Sequence, residues 1–227
     1  MKAPLRMDVI TIFPRMLDGV LGESILKRAV QSGAIAVRML DLRDFTTDVH
    51  RTTDDRPYGG GPGMVMLADP IFRAVESVRE EGSRVVLMSP QGRRFDQAAA
   101  QELAAADHLI FVCGHYEGVD ERVRDRLVTD EISIGDYVLT NGVLPAAVVI
   151  DAVSRLRPGV LGHAESATDE SFSAGRLEYP QYTRPAEYRG MQVPAVLLSG
   201  HHGEVQRWRE QAALERTRAR RPDLLTD

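Results

Sequence analysis

Three glycine-rich segments of the sequence have the composition of loops that line a ligand pocket. They are residues 89–92 (SPQG), 113–119 (CGHYEGV) and 132–145 (ISIGDYVLTNGVLP). Each lies at the end of a strand-like apolar run, and together they offer backbone amides and carbonyls beside large side chains, namely Leu87, Tyr116, Ile134, Tyr137 and Leu139. Such a surface suits a flat heteroaromatic ring, for example adenine, better than a polyphosphate. Each segment alone is more often a plain turn, so the prediction of a pocket rests on their combination.

A further glycine cluster, residues 56–64 (RPYGGGPGM), is compatible with either a binding loop or a tight surface loop. Its three successive glycines and Pro62 exclude a helix and let the backbone approach a ligand closely. It lacks the lysine and the serine or threonine of a Walker loop, and it lacks the G-x-G-x-x-G turn of dinucleotide-binding enzymes. The glycine pattern therefore disfavours a nucleotide-dependent oxidoreductase.

The elements that must position these segments alternate between strands and helices. Apolar runs predict strands over residues 6–13, 35–42, 84–88 and 108–113. Helical patterns cover residues 23–32, 69–78, 96–106 and 144–156. Asp69 and Pro70 have the residue types of an N-cap and an N1 position. This order predicts an α/β fold with a mostly parallel sheet between helices, in which ligands bind beyond the carboxyl ends of the strands.

The composition of the chain changes after Arg157. Residues 158–190 are rich in Pro, Gly, Ser and acidic residues, which suggests a linker opening onto a smaller unit, and the chain from about Gln192 has a helical pattern. Arginines cluster near the C-terminus, at Arg207, Arg209, Arg216, Arg218, Arg220 and Arg221. The net charge is −5, and a solvated helix face with ion pairs explains this patch at least as well as nucleic-acid binding does.

Other sequence features exclude several classes of protein. No apolar run approaches the ~20 residues of a membrane span, and the N-terminus lacks the pattern of a secretory signal, so we expect a cytoplasmic protein without a membrane partner. Cys113 is the only cysteine, which excludes an internal disulfide and predicts a small buried hydrophobe. His163, His201 and His202 lack the spacing of metal ligands, so we expect no metal site.

Six longer runs follow one another along the chain: YGGGPGM, SPQG, CGHYEGVDERV, ISIGDYVLTNG, PGVLGHAESATDESF and YPQYTRP. Together they closely resemble the bacterial tRNA (guanine-N1)-methyltransferases of the SPOUT superfamily, over nearly the whole sequence. The resemblance implies a SPOUT-type sheet with a deep trefoil knot and a small, mainly helical C-terminal domain. We therefore expect a knotted S-adenosylmethionine-binding domain at residues 1–157, a flexible linker at 158–176, and a tRNA-binding domain at 177–227.

The resemblance also implies an activity, the transfer of a methyl group from S-adenosylmethionine to N1 of guanosine 37, beside the anticodon of tRNA. It implies a homodimer whose active sites are each built from both subunits, and it allows Mg²⁺ to assist turnover. Two other hypotheses are a tRNA-binding module without catalysis and a nucleotide-dependent α/β enzyme. A tRNA-binding module without catalysis predicts a disrupted pocket or missing acidic residues, and the sequence shows neither. A nucleotide-dependent enzyme predicts a dinucleotide-binding or Walker motif, and the sequence lacks both.

Carried over residue by residue, the cofactor-binding positions of the family fall on the three glycine-rich segments. They are Leu87, Ser89, Pro90, Gly114, Tyr116, Glu117, Gly118, Ile132, Ile134, Gly135, Asp136, Tyr137, Val138, Leu139, Gly142 and Pro145. The catalytic arginine of the family falls on Arg155. Its base, an aspartate directly before Ser-Phe, falls on Glu170, with Asp169 as the rival because the order of the two acids differs from the family pattern. Without the resemblance, these three charges would be interpreted as surface groups.

Overall fold

The structure is a computed structural model, and it describes residues 3–162, 170–172 and 175–225. The chain divides into two compact units, Met1–Gly162 and His163–Asp227. The strands are β1 (Leu5–Thr11), β2 (Ile35–Asp41), β3 (Asp54–Asp55), β4 (Val65–Met66), β5 (Arg84–Arg94), β6 (His108–Cys113), β7 (Asp130–Ser133), β8 (Glu187–Tyr188) and β9 (Met191–Gln192). The helices are α1 (Asp18–Leu21), α2 (Ser24–Gln31), α3 (Ala68–Glu76), α4 (Gln97–Ala104), α5 (Glu121–Arg126), α6 (Val143–Ser154), α7 (Ala195–Leu198) and α8 (His202–Arg220).

Five strands of the first unit form one sheet in the order β2-β1-β6-β5-β7, and each neighbouring pair is parallel. Successive side chains point to opposite faces of the sheet, so Val86 and Met88 pack in one core and Val85 and Leu87 in the other. The first core, which includes Cys113, is covered by α2, α4 and α6, and the second by α3 and α5. The predicted α/β fold with a parallel sheet between helices is confirmed.

The predicted strands are confirmed with small shifts at their ends, except at β5, which continues to Arg94. Met88 and Arg93 both pair with Ile132, so residues 89–92 form an excursion within the strand and not a turn after it. Gly92 permits the close approach of the two strands, because a Cβ there would lie 2.3 Å from the backbone nitrogen of Ile132. The glycine-rich segment 89–92 is therefore held to β7 on both sides of the excursion.

The predicted N-cap at Asp69 is wrong. α3 begins at Ala68 with Leu67 in the N-cap position, where no side chain caps the helix. The helix can begin there because Pro70 then lies in its first turn, where backbone N–H groups have no partner within the helix, and the Leu67 N–H donates instead to the Thr53 carbonyl at 2.9 Å. Asp69 instead accepts a hydrogen bond from Nε of Arg73 one turn along the helix, also at 2.9 Å.

The second unit is organised around α8. The buried hydroxyl of Thr217 donates to the Ala213 carbonyl at 2.7 Å and accepts a hydrogen bond from the Leu177 N–H at 2.9 Å, which ties the start of the unit to this helix. The helical pattern expected from Gln192 starts too early, since Gln192 ends the β8–β9 hairpin and α7 begins at Ala195. Among the described residues, no helix combines the length and apolar composition that crossing a membrane requires.

Candidate functional site

Within the first unit, a cavity opens at the excursion of β5 and at the carboxyl ends of β6 and β7. Its volume is about 230 Å³, and it is lined by residues 87–91, 114–119, 132–135 and 137–142, with Arg124 and Pro145. We call this cavity the cleft. Every predicted cofactor-binding residue except Asp136 lines it. Asp136 lies in the same loop but is exposed. The structure thus brings the predicted residues together, and their binding of a cofactor stays a prediction.

The loops after β6 and β7 are hydrogen-bonded to each other at the bottom of the cleft. The Gly142 N–H donates to the Gly114 carbonyl at 2.9 Å. The side-chain oxygen of the preceding Asn141 accepts a hydrogen bond from the Val143 N–H at 2.9 Å, and this turn starts α6. The two loops and the first turn of the helix therefore form one hydrogen-bonded assembly.

Gly142→Ala is expected to destabilise the protein. The added carbon would lie 2.9 Å from Cα of Cys113 and 3.1 Å from the Gly114 nitrogen, so the two loops would have to move apart. We expect a loss of roughly 1–3 kcal/mol in the free energy of unfolding, measured by denaturant titration. Gly203→Ala is the control, since a Cβ there meets nothing within 4 Å and alanine favours a helix. A Gly142→Ala protein as stable as the wild type would contradict this role.

The loop after β7 gives the cleft an apolar wall. The Tyr137 N–H donates to the Gly135 carbonyl at 2.9 Å, and the Tyr137 hydroxyl donates to the Ile134 carbonyl at 3.3 Å. With the backbone fixed in this way, Val138 is 83 % exposed and Leu139 is 40 % exposed. Backbone amides beside apolar side chains form the kind of surface that binds a flat heteroaromatic ring.

The glycine cluster at residues 56–64 supports the opposite wall of the cleft. The Glu117 N–H donates to the Met64 carbonyl at 3.1 Å. A Cβ on Gly63 would lie 2.4 Å from a carboxylate oxygen of Glu117, so this glycine leaves room for that side chain. The cluster, all of which the structure describes, does not itself line the cleft. Its function here is to hold the loop that does.

Several cleft residues were not predicted from the sequence, namely Met88, Gln91, His115, Val119, Arg124, Ser133, Thr140 and Asn141. Most of them lie inside the three glycine-rich segments, so their position alone could have indicated them. Arg124 lies in α5, and its position directly after the run CGHYEGVDERV was the available signal. Its Nε donates to Glu131 at 3.1 Å. Burial acts against the charge, but the Glu131 and Glu121 carboxylates hold the pKa of Arg124 above its usual value, so the cleft keeps a cation.

His115 is buried in the wall of the cleft. The centroid of its ring lies 5.0 Å from that of Phe13 and 6.1 Å from that of Tyr116. Its Nε2 atom is buried and has no hydrogen-bond partner among the described residues. Burial, and then the positive charge of Arg43, lower the pKa of His115, so its ring is neutral at neutral pH.

The predicted catalytic residues occupy different places in the chain. Arg155 follows α6 as its C-cap, with its N–H donating to the Asp151 carbonyl at 3.2 Å. It is half-buried and does not line the cleft of its own chain. Glu170 belongs to the second unit, and Asp169 lies outside the described residues. The roles of these three residues stay predictions.

Within residues 3–162, 170–172 and 175–225, no group of three or more His, Cys, Asp or Glu side chains could hold a metal ion. His201 and His202 are exposed at the start of α8, and His163 lies outside the described residues. The described side chains therefore offer no metal centre from which a chemical step could be derived.

Comparisons with known proteins identify the family. The family model described as tRNA (Guanine-1)-methyltransferase TrmD matches residues 5–227. Proteins named tRNA (guanine-N(1)-)-methyltransferase from Moorella thermoacetica, Geobacillus kaustophilus and Bacillus cereus (strain G9842) are 60 %, 56 % and 57 % identical to this chain. The alignments cover 97 %, 98 % and 98 % of this chain and 90 %, 92 % and 93 % of those proteins. The resemblance found in the sequence is confirmed, and this chain belongs to the family of tRNA (guanine-N1)-methyltransferases.

Proposed function

We propose that this chain transfers a methyl group from S-adenosylmethionine to N1 of guanosine 37 in tRNA, next to the anticodon. The observation that carries the proposal is the cleft, in which three glycine-rich segments from neighbouring parallel strands meet, one within β5 and two directly after β6 and β7. Ligands of open α/β sheets bind at this edge. Membership of the family supplies tRNA as the substrate class and guanine N1 as the methylated atom. Position 37 and the identity of the methyl donor follow from the resemblance of the sequence.

The residues of the cleft fit S-adenosylmethionine. Ile132, Ile134 and Leu139, with the backbone around them, offer an adenine ring a flat and uncharged surface. Glu117 and Arg124 offer one carboxylate and one guanidinium to the polar groups of the molecule. When bound, S-adenosylmethionine supplies a methyl group already activated by a positively charged sulfur. The task of the chain is therefore to align guanine N1 with that methyl group.

The chain must also supply a base. Guanine N1 carries a proton at neutral pH, and this proton must leave as the new bond forms. We assign the role to Glu170, with Asp169 as the rival. The next residue, Ser171, accepts a hydrogen bond through its hydroxyl from the Glu178 N–H, at 3.0 Å. This contact fixes the segment that carries Glu170 within the second unit.

Arg155 is assigned to the charge that develops on the guanine. As N1 loses its proton, negative charge spreads to O6, and a guanidinium aimed at that oxygen stabilises the transition state by roughly 3 kcal/mol in a water-poor site. Arg155 directly follows a helix of 12 residues, most of them buried, so its backbone is held rigidly. Because Arg155 does not line the cleft of its own chain, we place its guanidinium at the cleft of the partner subunit.

Exposed apolar side chains of the first unit support the homodimer. On α6, Leu144 and Val148 lie one turn apart, and each is 48 % exposed. Phe13, Met16 and Val20, from a segment that packs against α6, are exposed as well. Contact of such a patch with its own copy about a twofold axis would bury these side chains, and this is the commonest arrangement of soluble homo-oligomers.

We assign tRNA binding to the second unit. Arginines lie along α8 and directly after it, at Arg207, Arg209, Arg216, Arg218, Arg220 and Arg221. The rings of Tyr182 and Trp208 lie 6.4 Å apart, and Tyr182 is 49 % exposed. Guanidinium groups bind phosphates, and exposed aromatic rings stack on unpaired bases. The pattern of arginines and aromatic residues therefore favours RNA as the ligand of this unit.

The resemblance also implies a trefoil knot, a possible role for Mg²⁺ and a location in the cytoplasm. The strand order favours the knot, because the chain leaves β6 and crosses β5 to reach β7 while the loops after β6 and β7 are bonded to each other. The described residues include no cluster suited to Mg²⁺, so we assign no step to this ion. A tRNA substrate favours a location in the cytoplasm, where translation takes place.

A methyl-transfer assay with a radiolabelled methyl group tests the proposal. A tRNA transcript with guanosine at position 37 should become labelled, and a matched transcript with adenosine there should not. Nuclease digestion and chromatography should then find the label in 1-methylguanosine. Binding of both substrates without transfer would instead identify a tRNA-binding protein that has lost catalysis. Label at another nucleotide would overturn the choice of guanosine 37.

A further inference from the structure

We propose that Arg221, held by Asp223, positions the segment that carries Glu170 by packing over the ring of Phe172. Arg221 is then a positioning residue of the methyl transfer, which acts through the base and does not touch the reacting atoms. The inference rests on the proposed function, since it takes Glu170 to be the base. Every contact on which it depends lies within the second unit.

Two hydrogen bonds fix the chain directly after Glu170. The hydroxyl of Ser171 accepts a hydrogen bond from the Glu178 N–H at 3.0 Å. The Phe172 N–H donates to the Arg176 carbonyl at 2.8 Å. The φ angle of Phe172 is 76°, which is unusual for a residue with a large side chain and persists only where the surrounding contacts maintain it. The conformation of this segment therefore depends on what holds Phe172.

The ring of Phe172 is held from the end of α8. The guanidinium carbon of Arg221 lies 5.7 Å from the centroid of this ring, within the range of a cation–π contact. Phe172 is 43 % exposed and belongs to neither hydrophobic core of the first unit. The guanidinium of Arg221, and not packing in a core, therefore restrains the ring.

Asp223 fixes the guanidinium of Arg221. Nε of Arg221 donates to Oδ1 of Asp223 at 2.9 Å, and Nη2 donates to Oδ2 at 2.6 Å. This bidentate geometry sets the plane of the guanidinium as well as its distance. The hydrogen bonds from Arg221 lower the pKa of Asp223, so the carboxylate stays charged at neutral pH. An exposed ion pair adds little stability by itself, and its effect here is to orient the charge over the Phe172 ring.

The last turn of α8 thus holds both ends of the stretch from Phe172 to Leu177. Thr217 accepts a hydrogen bond from the Leu177 N–H at 2.9 Å, and Arg221 packs over Phe172. The backbone joins these two supports, because the Arg221 N–H donates to the Thr217 carbonyl at 2.8 Å. A helix of 19 residues is a rigid support, and groups held by rigid elements are placed more precisely than groups on free loops. Glu170, two residues before Phe172, takes its place within the second unit from this helix.

Arg221→Gln and Phe172→Leu test the contact from its two sides. Each variant should bind S-adenosylmethionine and tRNA with wild-type affinity and lose roughly tenfold in single-turnover rate at saturating tRNA, because a small displacement of the base is costly. The double variant should be no slower than either single variant, since both changes remove the same contact. Arg221→Lys keeps a cation near the ring and should recover part of the rate.

A second cycle shows whether Arg221 acts through the base. In a Glu170→Gln protein, the further change Arg221→Gln should cause no additional loss of rate, because the group that Arg221 positions is already inactive. Arg189→Gln is the matched control. It removes a guanidinium that lies 5.2 Å from the ring of Tyr188 in the β8–β9 hairpin, a contact of the same kind in the same unit, and it should leave the rate unchanged. If Arg221→Gln does not fold, Phe172→Leu provides the same comparisons.

The other outcomes separate this inference from the proposed function. Weaker tRNA binding by Arg221→Gln, with a wild-type rate at saturating tRNA, would make Arg221 a phosphate ligand and would overturn the inference. The same result for Phe172→Leu would assign its ring to a base of the tRNA, with the same consequence. Wild-type rates in both variants, or losses that multiply in either cycle, would also overturn the inference and leave the proposed function standing. A wild type that transfers no methyl group overturns both.

Discussion

The Glu170→Gln variant is expected to bind S-adenosylmethionine and tRNA with wild-type affinity and to lose most of its methyl-transfer rate. The amide is close to the carboxylate in size and shape, but it cannot take the N1 proton. An interaction made only in the transition state is then missing, so the single-turnover rate should fall by roughly 10²–10⁴. Measurement with enzyme in excess excludes product release from the observed rate.

Asp169→Asn is the matched control, and it should change the single-turnover rate little. The opposite pattern would transfer the role of base to Asp169 and shift the register of this segment by one residue. Equal and small losses would refute both assignments and leave the proton to water. The pH dependence adds a second criterion. The wild-type rate should fall on the acid side, where the base is protonated, and Glu170→Gln should lack this limb.

Heterodimers of a Gly114→Trp subunit and an Arg155→Ala subunit are expected to recover activity that each parent homodimer lacks. Tryptophan at position 114 places an indole ring in one cleft, and its Cβ fits there at ordinary contact distance, with Cγ1 of Val119 as its nearest neighbour at 3.6 Å. Arg155→Ala removes the guanidinium from the other chain. If each site combines the cleft of one subunit with Arg155 of its partner, one site of the heterodimer carries both lesions and the other carries neither.

Co-expression with two different affinity tags isolates the heterodimer for this test. Its activity should approach about half of that of the wild-type dimer, since one of the two sites is intact. The two parent homodimers, purified in the same way, provide the background. If the heterodimer is no more active than the two parent homodimers, each active site lies within a single subunit. That result would refute an active site built from both subunits.

The sequence predicts the location of the cleft because parallel strands bring their carboxyl ends to one edge of a sheet. Segments far apart along the chain, at residues 89–92, 113–119 and 132–145, then have to meet, and the structure brings them together. The strand β7 was not predicted because it has only four residues, of which Asp130 and Glu131 are acidic. The helix α5 was not predicted either. It has only six residues, and its sequence ERVRDR has little apolar periodicity.

Other features depend on tertiary contacts that no local pattern encodes. The extension of β5 past Met88 depends on pairing with Ile132 of the neighbouring strand, and the N-cap residue of α3, Leu67, is hydrogen-bonded to the distant carbonyl of Thr53. His108 begins an apolar run and His115 follows it, and only the folded chain shows that one ring has partners for both nitrogens and the other does not. The hydrogen-bond partners of buried polar side chains therefore could not be predicted from the sequence.

The lone thiol of this protein has a practical consequence for labelling. Cys113 is 0 % exposed, and burial raises the pKa of its thiol far above the usual range, so both access and thiolate formation oppose reaction with maleimides. Because it is the only cysteine of the chain, the native sequence already provides a silent background for thiol chemistry. A cysteine introduced at Val138, which is exposed on the wall of the cleft, would carry a fluorophore or a spin label alone. Movements of that loop during turnover could then be followed without altering a native thiol.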